Sequence, residues 1–190
     1  MSQHTTDQKL TAGLAALAGV GAIAAGFLNW YKLSSGGESE TFSGLESTAG
    51  MGTLGLGVVM LVCAAVLMFR GAASGGKASS VVLLIVALFA LFASGYSATS
   101  PGDAVASFES SDVAETYGIS DQEAEVLIKQ AIEAGDLEVS AESGALLAVG
   151  PSLLGVIAGI MGIRRSKQIR GATSAGPAAA LPAPAENPSV

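Results

Sequence analysis

The stretch Val81–Ala93, VVLLIVALFALFA, has no polar side chain at any of its positions. A helix on the surface of a water-soluble protein carries a polar stripe at the helical period, and this stretch has none. At a rise of 1.5 Å per residue, about 20 residues cross the roughly 30 Å hydrocarbon layer of a bilayer. The stretch therefore predicts the centre of a membrane-spanning helix, surrounded by lipid or by other helices.

Segments without a charged residue that are long enough to span a bilayer occur four times in the chain. They are Leu10–Tyr31, Ser47–Phe69, Ala78–Gly102 and Ser143–Ile163. Charged residues make up 13% of the sequence, whereas a soluble domain carries roughly 25%. We therefore predict an all-α fold, a four-transmembrane-helix bundle with spans at 10–31, 49–69, 78–98 and 145–163. A cleaved signal peptide is the alternative for the first span, although its apolar run is longer than a signal h-region.

The distribution of positive charge predicts the orientation of the bundle. Seven of the nine Lys and Arg residues fall on one predicted side of the membrane: Lys9, Arg70, Lys77, Arg164, Arg165, Lys167 and Arg170. The positive-inside rule places that side in the cytoplasm. We expect a multi-pass plasma membrane protein with both termini cytoplasmic. The cytoplasmic parts are a tail at 1–9, a turn at 70–77, and a basic stop followed by a disordered tail at 164–190.

The two remaining segments face outward in this arrangement. Residues 32–48, rich in Ser and Gly, predict a flexible outer loop. Residues 99–144 hold eleven carboxylates against Lys129 and predict a small, helical, acidic extracytoplasmic insertion between the third and fourth spans. A shorter helix is expected at about 104–117. A capping box at Ser120–Glu123 and an apolar stripe after it predict a second helix, which ends at Gly135 and carries a Glu125–Lys129 pair.

Rows of small residues four apart allow two helix backbones to approach closely within lipid, and the glycine-rich first half of the second span suggests close packing against a partner helix. The helix-packing candidates are Gly19, Ala22 and Gly26 in the first span, Gly52 and Gly55 in the second, and Gly155 and Gly159 in the fourth. Aromatic side chains with a polar atom favour the headgroup region. The candidate interfacial anchors are Trp30, Tyr31 and Tyr96.

Residues that carry chemistry are nearly absent. The four predicted spans contain no Asp, Glu, Lys, Arg or His, whereas proton relays and ion paths place such residues at membrane depth. Polar residues within the spans, such as Thr53, Ser94 and Ser152, are expected to bond within their own helices, and Cys63 to be a small core residue. We therefore expect no catalytic residue, no cofactor, no metal site and no enzymatic activity.

The acidic insertion leaves two interpretations open. The segment does not have the ligand spacing of a calcium-binding loop or the convergent carboxylates of a two-carboxylate hydrolase. It also has too few cations to bind the phosphates of a nucleic acid. The segment is then either a solvated face or a docking site for a cationic protein surface. The docking candidates are Glu115, Asp121, Glu123, Glu125 and Glu133.

The layout resembles the small four-span membrane proteins of actinobacteria. The likeness rests on the Phe27–Tyr31 exit from the first span, the acidic Ser/Gly-rich loop, the Gly-rich second span and the Ala/Pro tail. Some such proteins are accessory subunits of the respiratory cytochrome bcc–aa3 supercomplex. The resemblance implies a non-catalytic subunit of a larger integral membrane complex, with that complex and lipids as partners. The alternatives are a small oligomeric channel or carrier, and an outer-face sensor or adaptor that uses the acidic loop.

Overall fold

The computed structural model describes residues 2–70 and 76–174, with side chains described over 6–69 and 76–167. Its elements are α1 (Ser2–Gly26), β1 (Asn29–Ser35), β2 (Glu38–Ser43), α2 (Thr48–Arg70), α3 (Gly76–Thr99), α4 (Pro101–Phe108), α5 (Ser110–Tyr117), α6 (Asp121–Ala134), β3 (Glu138–Ala141) and α7 (Ser143–Ser174).

Four of the helices are long and apolar enough to cross a membrane, as the sequence predicts. Their candidate spans are Thr6–Gly26, Thr48–Phe69, Gly76–Thr99 and Ser143–Lys167. The chain is mostly helical. The polar segment 1–9, predicted as a tail, is helical from Ser2 onward. The last helix continues to Ser174, beyond the predicted start of the disordered tail, and residues 175–190 lie outside the described residues, as do 71–75 of the predicted 70–77 turn.

The bundle closes as a ring in which α1 packs on α2 and α7, and α3 packs on α2 and α7. Alanine dominates its core, which also holds Met60 and Leu83, both fully buried. Small side chains keep the helix axes close, so dispersion contacts between backbones hold the bundle together. Buried hydroxyls bond to the carbonyl one turn earlier, as in Thr53 to Ala49 at 2.9 Å, Ser94 to Ala90 at 2.7 Å and Ser152 to Ala148 at 2.8 Å. These three bonds confirm the predicted intrahelical role.

The prediction of a flexible outer loop at 32–48 is wrong. Residues 29–43 form a β-hairpin, whose two-residue turn uses Gly36 at φ 59° and Gly37 at φ 89°. Positive φ at both turn positions gives the twist that a tight hairpin needs, and glycine adopts it at no steric cost. The sequence pattern missed β1 because the consecutive residues Trp30 and Tyr31 are both buried, so its side chains do not alternate between apolar and polar as in a strand with one solvated face.

β3 completes a three-stranded antiparallel sheet in the order β2-β1-β3. Tyr31 lies opposite Phe42 on β2 and Ala141 on β3, and Leu33 lies opposite Val139. We call the sheet together with α4–α6 the head. The acidic insertion is therefore not purely helical, because β3, which closes it, pairs with a strand that follows the first span.

Helices α4–α6 largely follow the sequence prediction. The single helix expected at 104–117 is two helices, α4 and α5, separated at Glu109. The capping box at Ser120 and Glu123 is confirmed, and Gly135 ends α6 in the left-handed conformation. The Glu125–Lys129 pair is also confirmed, with Lys129 Nζ 2.6 Å from Glu125 Oε1.

Candidate functional site

The junction of head and bundle is built around two adjacent aromatic residues of β1. Trp30 is 0% exposed and Tyr31 is 1% exposed, with their rings edge to face. Trp30 Nε1 donates to the carbonyl of Ala25 at 2.9 Å. The prediction that these two rings lie among lipid headgroups is therefore wrong for their side chains, because both are buried within the protein. Tyr96 is half-buried, stacked on Phe92 and edge-on to Phe108.

The Tyr31 hydroxyl joins the head to the bundle. Its oxygen lies 2.6 Å from Ser97 Oγ, which is fully buried near the end of α3. Burial raises the pKa of Tyr31 to about 12, and the bond to Ser97 opposes the rise. Tyr31 is therefore neutral at any physiological pH. A hydroxyl pair of this kind satisfies two buried polar groups at once.

Glu109 caps a helix that lies far from it in sequence. The amide of Thr48 donates to Glu109 Oε1 at 2.9 Å and to Oε2 at 3.1 Å, and the Thr48 hydroxyl donates to Oε2 at 3.0 Å. Ser47 Oγ accepts from the amide of Gly50 at 3.0 Å. A carboxylate at this position also complements the partial positive charge of a helix N-terminus. Sequence reasoning missed this role, since no local spacing signals a cap supplied 61 residues later.

Burial raises the pKa of Glu109; the charge of Asp112 adds to the rise and the Thr48 bonds oppose it. A carboxyl whose pKa is raised in the fold binds protons more tightly folded than unfolded. Its stabilising contribution is therefore complete below its ordinary pKa and is lost as pH rises through the raised value.

We predict that Glu109→Gln removes one pH-dependent part of the stability. As pH falls from about 7 to the ordinary Glu pKa of about 4.3, the apparent melting temperature of the wild type should rise relative to that of the variant. Melting in detergent at several pH values measures the difference, and Glu115→Gln controls for the loss of one charge. A difference in melting temperature between wild type and Glu109→Gln that stays constant or shrinks as pH falls would contradict the raised pKa of Glu109.

A cavity of about 270 Å³ lies under the sheet, between β1, α4, α5 and α6. Tyr31, Leu33 and Phe42 line it from the sheet, since alternate residues of a strand share a face. Its other lining residues are Glu46, Ser47, Val105, Glu109, Asp112, Val113, Ile128 and Leu137. The cavity is therefore mostly apolar, with three carboxylates among its lining residues.

Most of the predicted packing residues do lie between helices. Gly19 and Gly26 of α1 face α2. A Cβ added at Gly19 would lie 2.8 Å from the carbonyl oxygen of Gly57, and a Cβ added at Gly26 would lie 2.9 Å from Leu54 Cβ. Ala22 is fully buried. Gly155 and Gly159 of α7 face α3. A Cβ added at Gly155 would lie 2.8 Å from Ala87 Cβ, and a Cβ added at Gly159 would lie 2.8 Å from Leu84 Cα.

Gly52 and Gly55 differ from the other packing candidates. Both are exposed, and nothing lies within 4 Å of a Cβ added at either position. The two residues lie three apart on α2, on a face that Val59 and Val62 continue and that no other described element covers. Within the single chain, the structure therefore does not use these two glycines for packing.

The predicted docking carboxylates all lie on α5 and α6. Glu115, Asp121 and Glu133 are exposed. Glu123 is bound to the amide and hydroxyl of Ser120, which lower its pKa, and Glu125 is paired with Lys129. Within the described side chains no three His, Cys, Asp or Glu residues are grouped so that they could hold a metal ion.

Comparison with known proteins finds no relative of this chain. No family model, no curated protein and no solved structure matches the chain.

Proposed function

We propose that the protein is a non-catalytic accessory subunit of a larger integral membrane complex. The observation that carries this proposal is the uncovered face of α2 formed by Gly52, Gly55, Val59 and Val62, which we call the α2 face. Glycine costs roughly 1 kcal/mol relative to alanine in a helix. In lipid, a pair of glycines three apart offers close approach to a second helix. The described chain supplies no such helix, so a partner protein is the natural source.

The other uncovered glycines of the described helices do not form a pair like Gly52 and Gly55. Gly13, Gly95 and Gly150 also have nothing within 4 Å of an added Cβ. They lie on different helices and none has a second uncovered glycine within a turn on the same face. The α2 face is therefore the one paired site of this kind in the described spans.

Charge supports the accompanying proposal about orientation. Lys9, Arg164, Arg165 and Lys167 lie at the end of the bundle away from the head, while the head carries most of the carboxylates. Under the positive-inside rule the termini face the cytoplasm and the head lies outside the plasma membrane. Glu115, Asp121 and Glu133 would then offer a cationic part of the same complex an exposed surface.

Affinity purification from native membranes in mild detergent tests the proposal. We expect the tagged wild type to co-purify with a larger membrane assembly in a fixed ratio, and Gly52→Leu/Gly55→Leu to retain at most about a tenth of it, because leucine holds the partner helix away. Gly13→Leu/Gly95→Leu is the matched control, since it adds the same bulk at uncovered positions elsewhere.

Two outcomes would contradict the proposal. One is recovery of the wild type only as a free protein, and the other is equal retention of the assembly by both double variants. If the partner is a respiratory supercomplex, the specific form of the proposal that the layout resemblance favours, the eluate should show haem absorbance and mass spectrometry should identify its subunits.

A further inference from the structure

The cavity under the sheet has a size that suits one small apolar group. Its volume of about 270 Å³ exceeds the roughly 150 Å³ of an apolar cavity that holds benzene, and it approaches the lower end of small-molecule sites. A membrane acyl chain is too long for it. A ring or a short alkyl group of about ten non-hydrogen atoms fits.

The lining divides into an apolar floor and an acidic rim. Val105 and Ile128 are buried and form the floor with Leu33 and Leu137, whereas Glu46 and Asp112 are exposed and lie on the solvent side. None of the described residues that line the cavity is Lys, Arg or His. The rim therefore carries negative charge that the cavity itself does not neutralise.

The three carboxylates differ in how the fold holds them. Glu109 is fixed by Thr48, and Glu46 Oε2 accepts from the amide and hydroxyl of Ser43 at 2.8 Å each. Both carboxylates are thus positioned before any ligand arrives, which lowers the entropy that binding must overcome. Each retains acceptor capacity, since a carboxylate offers about four lone-pair positions. Asp112 repels Glu109, and a cation placed between them would relieve that repulsion.

We propose that this cavity binds a small amphiphilic ammonium ion, with the apolar body on the floor and the cation at the rim. The rim disfavours anions by direct repulsion. A neutral molecule of the same shape gains the apolar contacts but not the charge interactions. The expected order of affinity is therefore ammonium, then neutral, then anion. This site is separate from the α2 face and does not depend on a partner complex.

The experiment uses full-length protein in nanodiscs of zwitterionic lipid, titrated calorimetrically with empty nanodiscs as the blank. The probes are 2-phenylethylammonium, 2-phenylethanol and 3-phenylpropanoate, which share a ring and differ in charge. We expect saturable binding of the ammonium at one site, with Kd on the order of 1 mM or tighter. The alcohol should bind about 3- to 10-fold more weakly, and the carboxylate should not bind detectably.

Two variants locate the binding. Val113→Trp fills the cavity and should abolish the signal, provided that its melting temperature shows a folded protein. Glu46→Gln/Asp112→Asn keeps the cavity and removes two rim charges, so it should weaken the ammonium about 3- to 10-fold and leave the alcohol unchanged. Asp121→Asn/Glu133→Gln makes the same change of net charge at exposed positions of α6 that do not line the cavity, and it should leave all three probes unchanged.

Three results would overturn the proposal. The first is equal affinity for ammonium and alcohol, and the second is equal weakening of the ammonium by the rim variant and its control. The third is binding of a peptide that carries Lys beside Phe when the free ammonium does not bind, because the cavity would then be a protein docking site.

Discussion

Trp30→Ala is expected to lower the free energy of unfolding by about 4 kcal/mol, which is in the range for deleting a fully buried aromatic side chain. The ring is 0% exposed and lies where the head meets the bundle. A Cβ added at Gly144 would come within 2.5 Å of Trp30 Cδ1, and one added at Gly44 within 2.7 Å of Nε1. The backbones on both sides therefore close tightly around this one ring, and they cannot collapse fully into the space that it leaves.

Unfolding in detergent, followed by far-ultraviolet circular dichroism, measures this change without relying on the lost fluorophore. Trp30→Phe should fall between wild type and Trp30→Ala, because it keeps a ring and loses the bond from Nε1 to the carbonyl of Ala25. Phe69→Ala is the control: Phe69 is 84% exposed at the end of α2, and its removal should cost little. Equal losses for Trp30→Ala and Phe69→Ala would show that Trp30 does not hold the junction.

Gly159→Leu is expected to destabilise the bundle by about 3 kcal/mol. A Cβ at Gly159 would lie 2.8 Å from Leu84 Cα and 2.9 Å from Leu84 N. These are backbone atoms, so the neighbour cannot move aside by changing a rotamer, and α7 must separate from α3 along its length. Loss of close packing removes the dispersion contacts that hold helices together in lipid.

Gly95→Leu is the matched control for this change. It makes the same substitution on α3, where nothing lies within 4 Å of an added Cβ, and gains the same helix propensity. Titration with a denaturing detergent should show a lower unfolding midpoint for Gly159→Leu, with Gly95→Leu at or above the wild type. A midpoint for Gly159→Leu equal to that of its control would mean that α3 and α7 are not in close contact at this position.

The head shows why part of the candidate site could not be predicted. Ser120, Glu123 and Gly135 were predicted as the start and end of a helix because capping signals act within four residues. The bonds from Thr48 to Glu109 and between Tyr31 and Ser97 span 61 and 66 residues. Neither residue of such a pair carries a local signal of the other, so the cavity that Tyr31 and Glu109 line could not be predicted either.

The same reasoning applies to Trp30 and Tyr31. An aromatic pair at the end of an apolar run is typical of an interfacial anchor. The hairpin turn at Gly36–Gly37 folds β2 back beside β1, and β3 covers the other edge. Gly44 and Gly144 lie against the Trp30 ring, and the Tyr31 hydroxyl bonds to Ser97. Both rings therefore face protein, through contacts that only the tertiary structure creates.

The amino-acid sequence alone determined that this protein has four long apolar helices, because hydrocarbon length and the cost of unpaired backbone amides allow few alternatives. It also determined the ends of α6, through signals that act within one turn. Tertiary structure alone decided which glycines meet a neighbour, since Gly155 and Gly52 look alike in a sequence and only helix placement separates them. It likewise decided that the segment after the first span is a strand, because pairing partners supplied from distant parts of the chain satisfy its backbone hydrogen bonds.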